Sequence, residues 1–305
     1  MDERLVDLAR ARGGLLTVPE AARLGSTPGR LNRLRTQGLL VHLRRGAYAL
    51  ADTWDAATGS ERYALRVRAV LRTRPAVAAS HHAALALAGV PAWGPALDRV
   101  DVVELTGTCT RVRSKLGVVV RPWPAATEIV TDSFGDPRVP AVVALVQMAR
   151  DCSPLAFAAA LDQALRLGLT STGEVAEALQ REGRGHRWVR QGTDLLAGAD
   201  PLSPCPEATR LRVLLTDMGF RPRLRVPLWC GARGSVIRAE LLLGSSIAVS
   251  RTAYTGRELA RLRELGVAVA LIGDDDLEHP DRVAASIAGA MGELDALRSA
   301  RARGA

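Results

Sequence analysis

Residues 15–50 read LLTVPEAARLGSTPGRLNRLRTQGLLVHLRRGAYAL, and this stretch sets the architecture expected of the N-terminal part of the chain. Thr17 precedes Val18-Pro19-Glu20 and the apolar Ala21, Ala22 and Leu24, the pattern of a short capped helix. Pro19 suits a first turn, where the N–H that proline lacks has no helical acceptor. Gly25-Ser26-Thr27-Pro28 ends that helix and caps a second, predicted from about Pro28 to Gln37, and Gly38 supplies a left-handed residue to stop it. Leu40 to Leu50 then alternates apolar and basic residues around Arg44-Arg45, as a β-hairpin does. Two short helices, a tight turn and a basic hairpin spell a winged helix-turn-helix.

On a wheel at ~100° per residue, Leu31 and Leu34 of the second helix point inward. Asn32, Arg33 and Thr36 point away, with Arg30 and Arg35 on the flanks. Asn and Arg bond bidentately to purine edges in the major groove. Asn32, Arg33 and Thr36 are therefore the candidates for reading bases. Arg30, Arg35, Arg44 and Arg45 are candidates for holding phosphates or the minor groove. Arginine is also an ordinary solvent-facing residue, and many helix-turn-helix units serve only as packing modules. The charge distribution favours double-stranded DNA as partner, because Leu8 to Ala51 carries eight Arg and one acid, Glu20.

The run from Thr17 to Tyr48, continuing through LRRGAYAL, resembles the N-terminal winged helix of AbiEi-type antitoxins and transcriptional regulators of actinobacteria. The same resemblance extends to SHHAALALAG (80–89) and ALDQALRLGLT (160–170), and so implies a family-type middle domain. It implies a DNA-binding regulator, or an antitoxin that neutralises a toxin.

The 305 residues suffice for two or three compact units, and 48% hydrophobic with 24% charged residues is ordinary for a globular protein. The formal charge is +9, with Lys115 the one lysine, so arginine supplies almost all of the positive charge. No stretch approaches the ~18 apolar residues of a membrane span, and MDERLVDLARARGG lacks the apolar core of a signal peptide. A cytoplasmic protein with no membrane partner is expected. Cys109, Cys152, Cys205 and Cys230 lack CxxC spacing, which points to isolated thiols rather than to a zinc site.

Around the winged helix, residues 2–12 carry Leu5, Val6, Leu8 and Ala9 at helical spacing, and Ala51 to Trp54 reads as a short connection. A helix is predicted near Glu61 to Arg72, then an apolar strand leading into Ser80 and a short helix ending at Gly89. His81 and His82 diverge by ~100° on that helix and cannot readily share a metal, so a structural role is expected. DVVEL (101–105) and GVVVR (117–121) read as strands joined by a polar basic connection with Arg111, Arg113 and Lys115. Two short strands and helices at about 140–150, 154–167 and 172–181 follow, with one more short helix in 182–204.

From Glu207 the order helix, three strands, helix, strand, helix is similar to the Vsr-like branch of the PD-(D/E)XK nuclease fold, as in DUF559 proteins, and DDDLEHPDRVAASI (274–287) matches that family's ending. The resemblance implies acidic metal ligands on the first helix and on the second and third strands. Those positions fall at Glu207 or Ala208, at Ala239 or Glu240, and at Ser250, which Arg251 follows. A hydroxyl and a positive charge are poor partners for a cation. If the domain is active, Glu207 and Glu240 are its catalytic candidates. The plainer expectation puts Glu240 on a solvent-facing strand and Glu207 in a helical first turn, leaves Asp274-Asp275-Asp276 to cap a helix, and assigns no metal or cofactor.

The expected class is α+β and multidomain. A winged helix-turn-helix covers 1–52, a mixed α/β middle domain 53–200, and a catalytically degenerate PD-(D/E)XK-like α/β domain 201–305. The leading function is a DNA-binding regulator or antitoxin-like repressor, helped in DNA affinity or dimerisation by Arg221, Arg223, Arg225 and Arg251. The alternatives are a metal-dependent DNA endonuclease and an antitoxin acting by protein contact with a toxin.

Overall fold

A computed structural model describes residues 2–93, 98–122, 128–230 and 235–304. Packing divides the chain into two compact units, Met1–Ala199 and Asp200–Ala305. Both mix helices and sheets, as the α+β expectation requires. No helix among the described residues is long and apolar enough to cross a membrane.

The first unit opens with α1 (Glu3–Ala11), β1 (Leu15–Thr17), α2 (Val18–Arg23), α3 (Pro28–Thr36), β2 (Leu40–Arg44) and β3 (Ala47–Leu50). Local chemistry sets these boundaries. Thr17 and Glu20 form a reciprocal capping box at α2, and Thr27 accepts from the Arg30 N–H at α3. Gly38 adopts φ +73° just past α3, where a side chain would be strained. β1 and β2 flank β3 in an antiparallel sheet of order β1-β3-β2. Leu5, Leu16, Leu31, Leu34, Leu40 and Leu50 form the small core beneath it. Each buried leucine contributes about 1.5–3 kcal/mol.

Ala51 to Ala56 is a one-and-a-half-turn helix, α4, rather than the expected connection. No side chain caps it, so the sequence carries no start signal there. α5 (Gly59–Thr73) begins at a Thr58–Glu61 capping box. The remaining elements of the unit are β4 (Val77–Ala79), α6 (His81–Leu87), β5 (Val100–Glu104), β6 (Arg113–Lys115), β7 (Val118–Arg121), β8 (Val130–Thr131) and β9 (Pro137–Arg138), then α7 (Ala141–Asp151), α8 (Pro154–Arg166), α9 (Thr172–Gly183) and α10 (Arg187–Ala197). The six strands take the order β6-β7-β5-β4-β9-β8, with β5/β7 and β4/β9 parallel. β6 lies inside the stretch expected to be a plain connection. Its antiparallel pairing with β7, not its own composition, makes it a strand.

α5 serves both sheets. Tyr63, Val67, Val70 and Leu71 enter the core under the six strands, while Ala69 packs against Leu15 and Ala47 of the three-stranded sheet. Arg72 makes two hydrogen bonds to Asp136, at 2.9 and 2.7 Å, and donates to the Arg12 carbonyl at 2.8 Å. Arg68 binds Asp132 at 2.7 Å. These side chains tie the β8–β9 loop to α5 and to the end of α1.

The second unit comprises α11 (Pro206–Asp217), β10 (Pro222–Cys230), β11 (Ser235–Leu243), β12 (Ile247–Ser250), α12 (Gly256–Leu265), β13 (Ala268–Leu271), a 3-10 turn (Asp274–Glu278) and α13 (Pro280–Gly304). The sheet runs β10-β11-β12-β13, antiparallel except for the parallel β12/β13 pair. Alternation along β12 sends Ile247 and Val249 into a core with Leu211, Val283 and Ile287, and Ala248 into another with Leu262 and Val267. The helix and strand order is the expected one.

Candidate nucleic-acid interface

α3 sorts its side chains as the wheel requires. Leu31 and Leu34 are buried, whereas Arg30, Asn32, Arg33, Arg35 and Thr36 are exposed. Four of these five are partly engaged within the unit. Asn32 Oδ1 accepts from Arg35 Nε at 3.0 Å, which orients the asparagine and leaves its amide N–H groups pointing elsewhere. The Thr36 hydroxyl donates to the Asn32 carbonyl at 3.1 Å, so its proton is used inside the helix. An Arg30 guanidinium nitrogen lies 3.7 Å from an Asp2 carboxylate oxygen. Arg33 has no ion-pair partner among the described residues.

α3 leads through Gly38 directly into β2, so the helix and hairpin candidates are carried by consecutive elements. The hairpin turns at Arg45-Gly46, with Gly46 at φ +86° and its carbonyl accepting from the Val18 N–H at 3.0 Å. Arg45 is exposed and Arg44 half-buried. One terminal nitrogen of Arg44 is buried without a hydrogen-bond partner among the described residues. Burial, helped by the positive charge of Arg74, pushes the Arg44 guanidinium below its ordinary range. No ion pair to Arg44 occurs among the described residues.

His81 and His82 are both buried, and His81 joins a hydrogen-bonded network. The Ser80 hydroxyl lies 3.0 Å from His81 Nδ1, and His81 Nε2 lies 3.0 Å from an Asp151 carboxylate oxygen. Arg121 binds Asp101 at 3.1 Å and approaches Asp151 at 3.3 Å. The sequence Ser–His–Asp looks like a nucleophile, a base and an orienting acid, but Ser80 and His81 have no exposed surface. Their chemistry is structural, as expected. Burial lowers the pKa of both imidazoles, that of His82 to about 4. Burial alone would raise the Asp151 carboxyl, yet hydrogen bonds from His81 and Arg150 hold it well below the usual range. Asp101, Arg121, Gln147 and Asp151 were missed as members of this network. For Asp101 and Arg121 the signal is a charge inside an apolar strand, as in DVVEL and VVVR, whereas Gln147 and Asp151 sit on α7 and carry no such mark.

In the second unit two expectations fail. Glu240 does not face solvent, and Arg251 is not available for phosphate. The Arg251 backbone N–H and Nε donate to the two Glu240 carboxylate oxygens at 2.9 and 2.7 Å. The guanidinium also reaches Asp274 at 2.9 Å and the Cys205 sulfur at 2.9 Å, and stands 3.9 Å from Glu207. Burial works against its charge, but Glu240 and its neighbours hold the pKa above the ordinary arginine range. Ser250 donates to the Thr252 carbonyl at 2.7 Å. Glu207, Glu240 and Asp274 thus converge on a fixed organic cation. Asp276 caps the 3-10 turn by accepting from the Gly273 N–H at 2.9 Å, whereas Asp274 is an ion-pair partner rather than a cap. No group of three or more His, Cys, Asp or Glu suited to a metal ion occurs among the described residues. The four cysteines are free thiols, two of them buried.

No curated protein matches the chain. Residues 3–51, which span α1 through β3, are similar to the protein family described as "Transcriptional regulator, AbiEi antitoxin".

Proposed function

We propose that the chain is a duplex-DNA-binding transcriptional regulator of antitoxin type. The family match of residues 3–51 supports a regulator or antitoxin function at the family level. In this reading residues 1–52 are a winged helix-turn-helix, 53–200 the middle domain, and 201–305 a nuclease-like domain without its chemistry. The observation that carries it is the sidedness of α3: its leucines are buried and its Arg, Asn and Thr side chains face water. Arg33, unencumbered, and the amide of Asn32 read base edges. Arg30, Arg35, Arg44 and Arg45 hold the backbone. Thr36 contributes its methyl group and an acceptor oxygen, since its proton is committed to the helix. Occupation of a promoter by this face excludes other proteins from the same groove.

The test is equilibrium binding of labelled duplex by the parent and by Arg33→Ala with Arg45→Ala at ~0.15 M salt. A good base contact is worth about 1–3 kcal/mol, so the pair should weaken binding by roughly 10- to 100-fold. Equal affinity overturns the assignment.

The environment of Arg251 favours a retired metal site in the second unit over an endonuclease. A guanidinium fixed by Glu240 and Asp274 competes with any divalent ion for the same oxygens. Plasmid incubated with Mg²⁺ or Mn²⁺ should stay intact. Metal-dependent cleavage that disappears in Glu240→Gln would reinstate the endonuclease reading.

A further inference from the structure

We propose that the β6–β7 turn, Lys115-Leu116-Gly117, is a second duplex contact beside the hairpin, with Leu116 acting as an apolar wedge at a base step. The inference rests on the DNA-binding reading of the first unit.

Leu116 is the anomaly that prompts it. The side chain is 90% exposed, and its backbone lies at φ +51°. Gly117 follows at φ +71°, so two successive left-handed residues close the hairpin between the paired Lys115 and Val118. Turns of this kind select Asn or Gly at the first position, because a branched carbon there meets the backbone. Leucine is thus disfavoured twice, by the backbone and by water, and the core takes none of it. A residue that harms the turn and stays outside the core is explained by what it touches in a complex.

The surroundings are cationic. Arg111, Arg113 and Lys115 are exposed beside it, and Val112 is 54% exposed. Charged residues on an edge strand such as β6 also deter strand pairing between molecules. An exposed leucine at the tip works against that purpose. Leu116 and Gly117 line the same groove, about 290 Å³, as Arg44 and Arg45 of the hairpin. Arg66 and Arg99 contribute to it, and Asp98 is the one acid among its described lining residues. A phosphate backbone held by Arg44 and Arg45 therefore runs toward Leu116. Cations flanking a single apolar tip are the chemistry by which proteins hold phosphates and unstack a base step from the minor groove.

The full-length chain is tested with a duplex of about 30 bp labelled at both ends, read by anisotropy for affinity and by energy transfer for bending. Leu116→Gly suits the left-handed turn, so it should keep or raise the Tm. It should weaken duplex binding about 5- to 10-fold and abolish the bend, while leaving the slope of log K against log salt unchanged. Arg113→Ala with Lys115→Ala should instead lower that slope by about 2. Parent-like binding and bending by Leu116→Gly overturns the wedge while Arg33 dependence leaves the broader reading standing. A duplex that the parent fails to bind overturns both. Loss of binding with a fall in Tm marks Leu116 as a packing residue and overturns the proposal. Anionic phospholipid vesicles are the counter-probe. Vesicle binding that Leu116→Gly abolishes, with duplex binding retained, overturns it in favour of a membrane surface.

Discussion

The arginines of α3 and its hairpin and the arginine at the end of β12 are one residue type in opposite settings. Arg33, Arg35 and Arg45 stand in water, and the nearest ion pairs of that region are weak or absent. Arg251 is enclosed by Glu240, Asp274 and Cys205 at 2.7–2.9 Å. In the first setting the charge is available to an incoming anion and adds little to stability. In the second it is consumed by the fold, and removing it strands carboxylates. A net charge of +9 adds both kinds together, so composition alone overstates how much positive charge is open to an incoming anion.

The largest effect that tests this contrast is Arg251→Ala. It leaves Glu240, whose side chain is 15% exposed, without its partner. Breaking such a pair costs about 3–5 kcal/mol, and chemical or thermal unfolding should show the loss in the second unit. Duplex affinity should change less than about twofold. An unchanged unfolding transition would erase the distinction.

Acid should affect the first unit through its buried histidines. The His82 pKa falls from an unfolded value near 6.5 to about 4, and His81 shifts the same way. A folded pKa below the unfolded one means that the unfolded chain binds more protons in between. The stability due to the neutral imidazole is complete above about pH 6.5, declines as pH falls through the window, and is gone near pH 4. For His82 this is about 3 kcal/mol. Denaturant midpoints measured from pH 7 to 4 should track it, and a flat profile would remove the buried network from the account.

Arg33→Ala gives the converse of the Arg251 substitution. Unfolding should stay within about 0.5 kcal/mol of the parent, as for exposed residues without a structural partner. Duplex binding should fall by about 1–3 kcal/mol. The smallest effect lies at the start of α2, where Glu20→Ala removes one half of the capping box. It should cost about 1 kcal/mol in thermal unfolding and change binding only through the fraction folded.

The α2–α3–hairpin segment was legible because its determinants are local. Thr17 with Glu20, Thr27 with Pro28, and Gly38 each act within four residues, and the leucine period of α3 names its buried face. The helix and strand order of the second unit was readable for the same reason. α4 escaped notice because Leu50 offers no capping side chain, and β6 because its strand character comes from a partner. The least readable feature was the environment of Arg251. Its partners lie 11, 23 and 46 residues away in sequence, and no periodicity announces a contact of that range. The plainer expectation put Glu240 on a solvent-facing strand, and Arg251, just past the following strand, supplied a cation over it.

α5 carries a consequence for how an extended ligand would meet the first unit. The helix is a shared beam, since one set of its side chains fills the six-stranded core and Ala69 seats the three-stranded sheet. Arg68 and Arg72 brace the β8–β9 loop against it. The hairpin arginines and the β6–β7 turn therefore keep a set spacing, unlike two modules on a flexible tether. In the proposed reading, a duplex captured at one would find the other already in place, with an effective concentration set by rigid geometry rather than by the search of a linker.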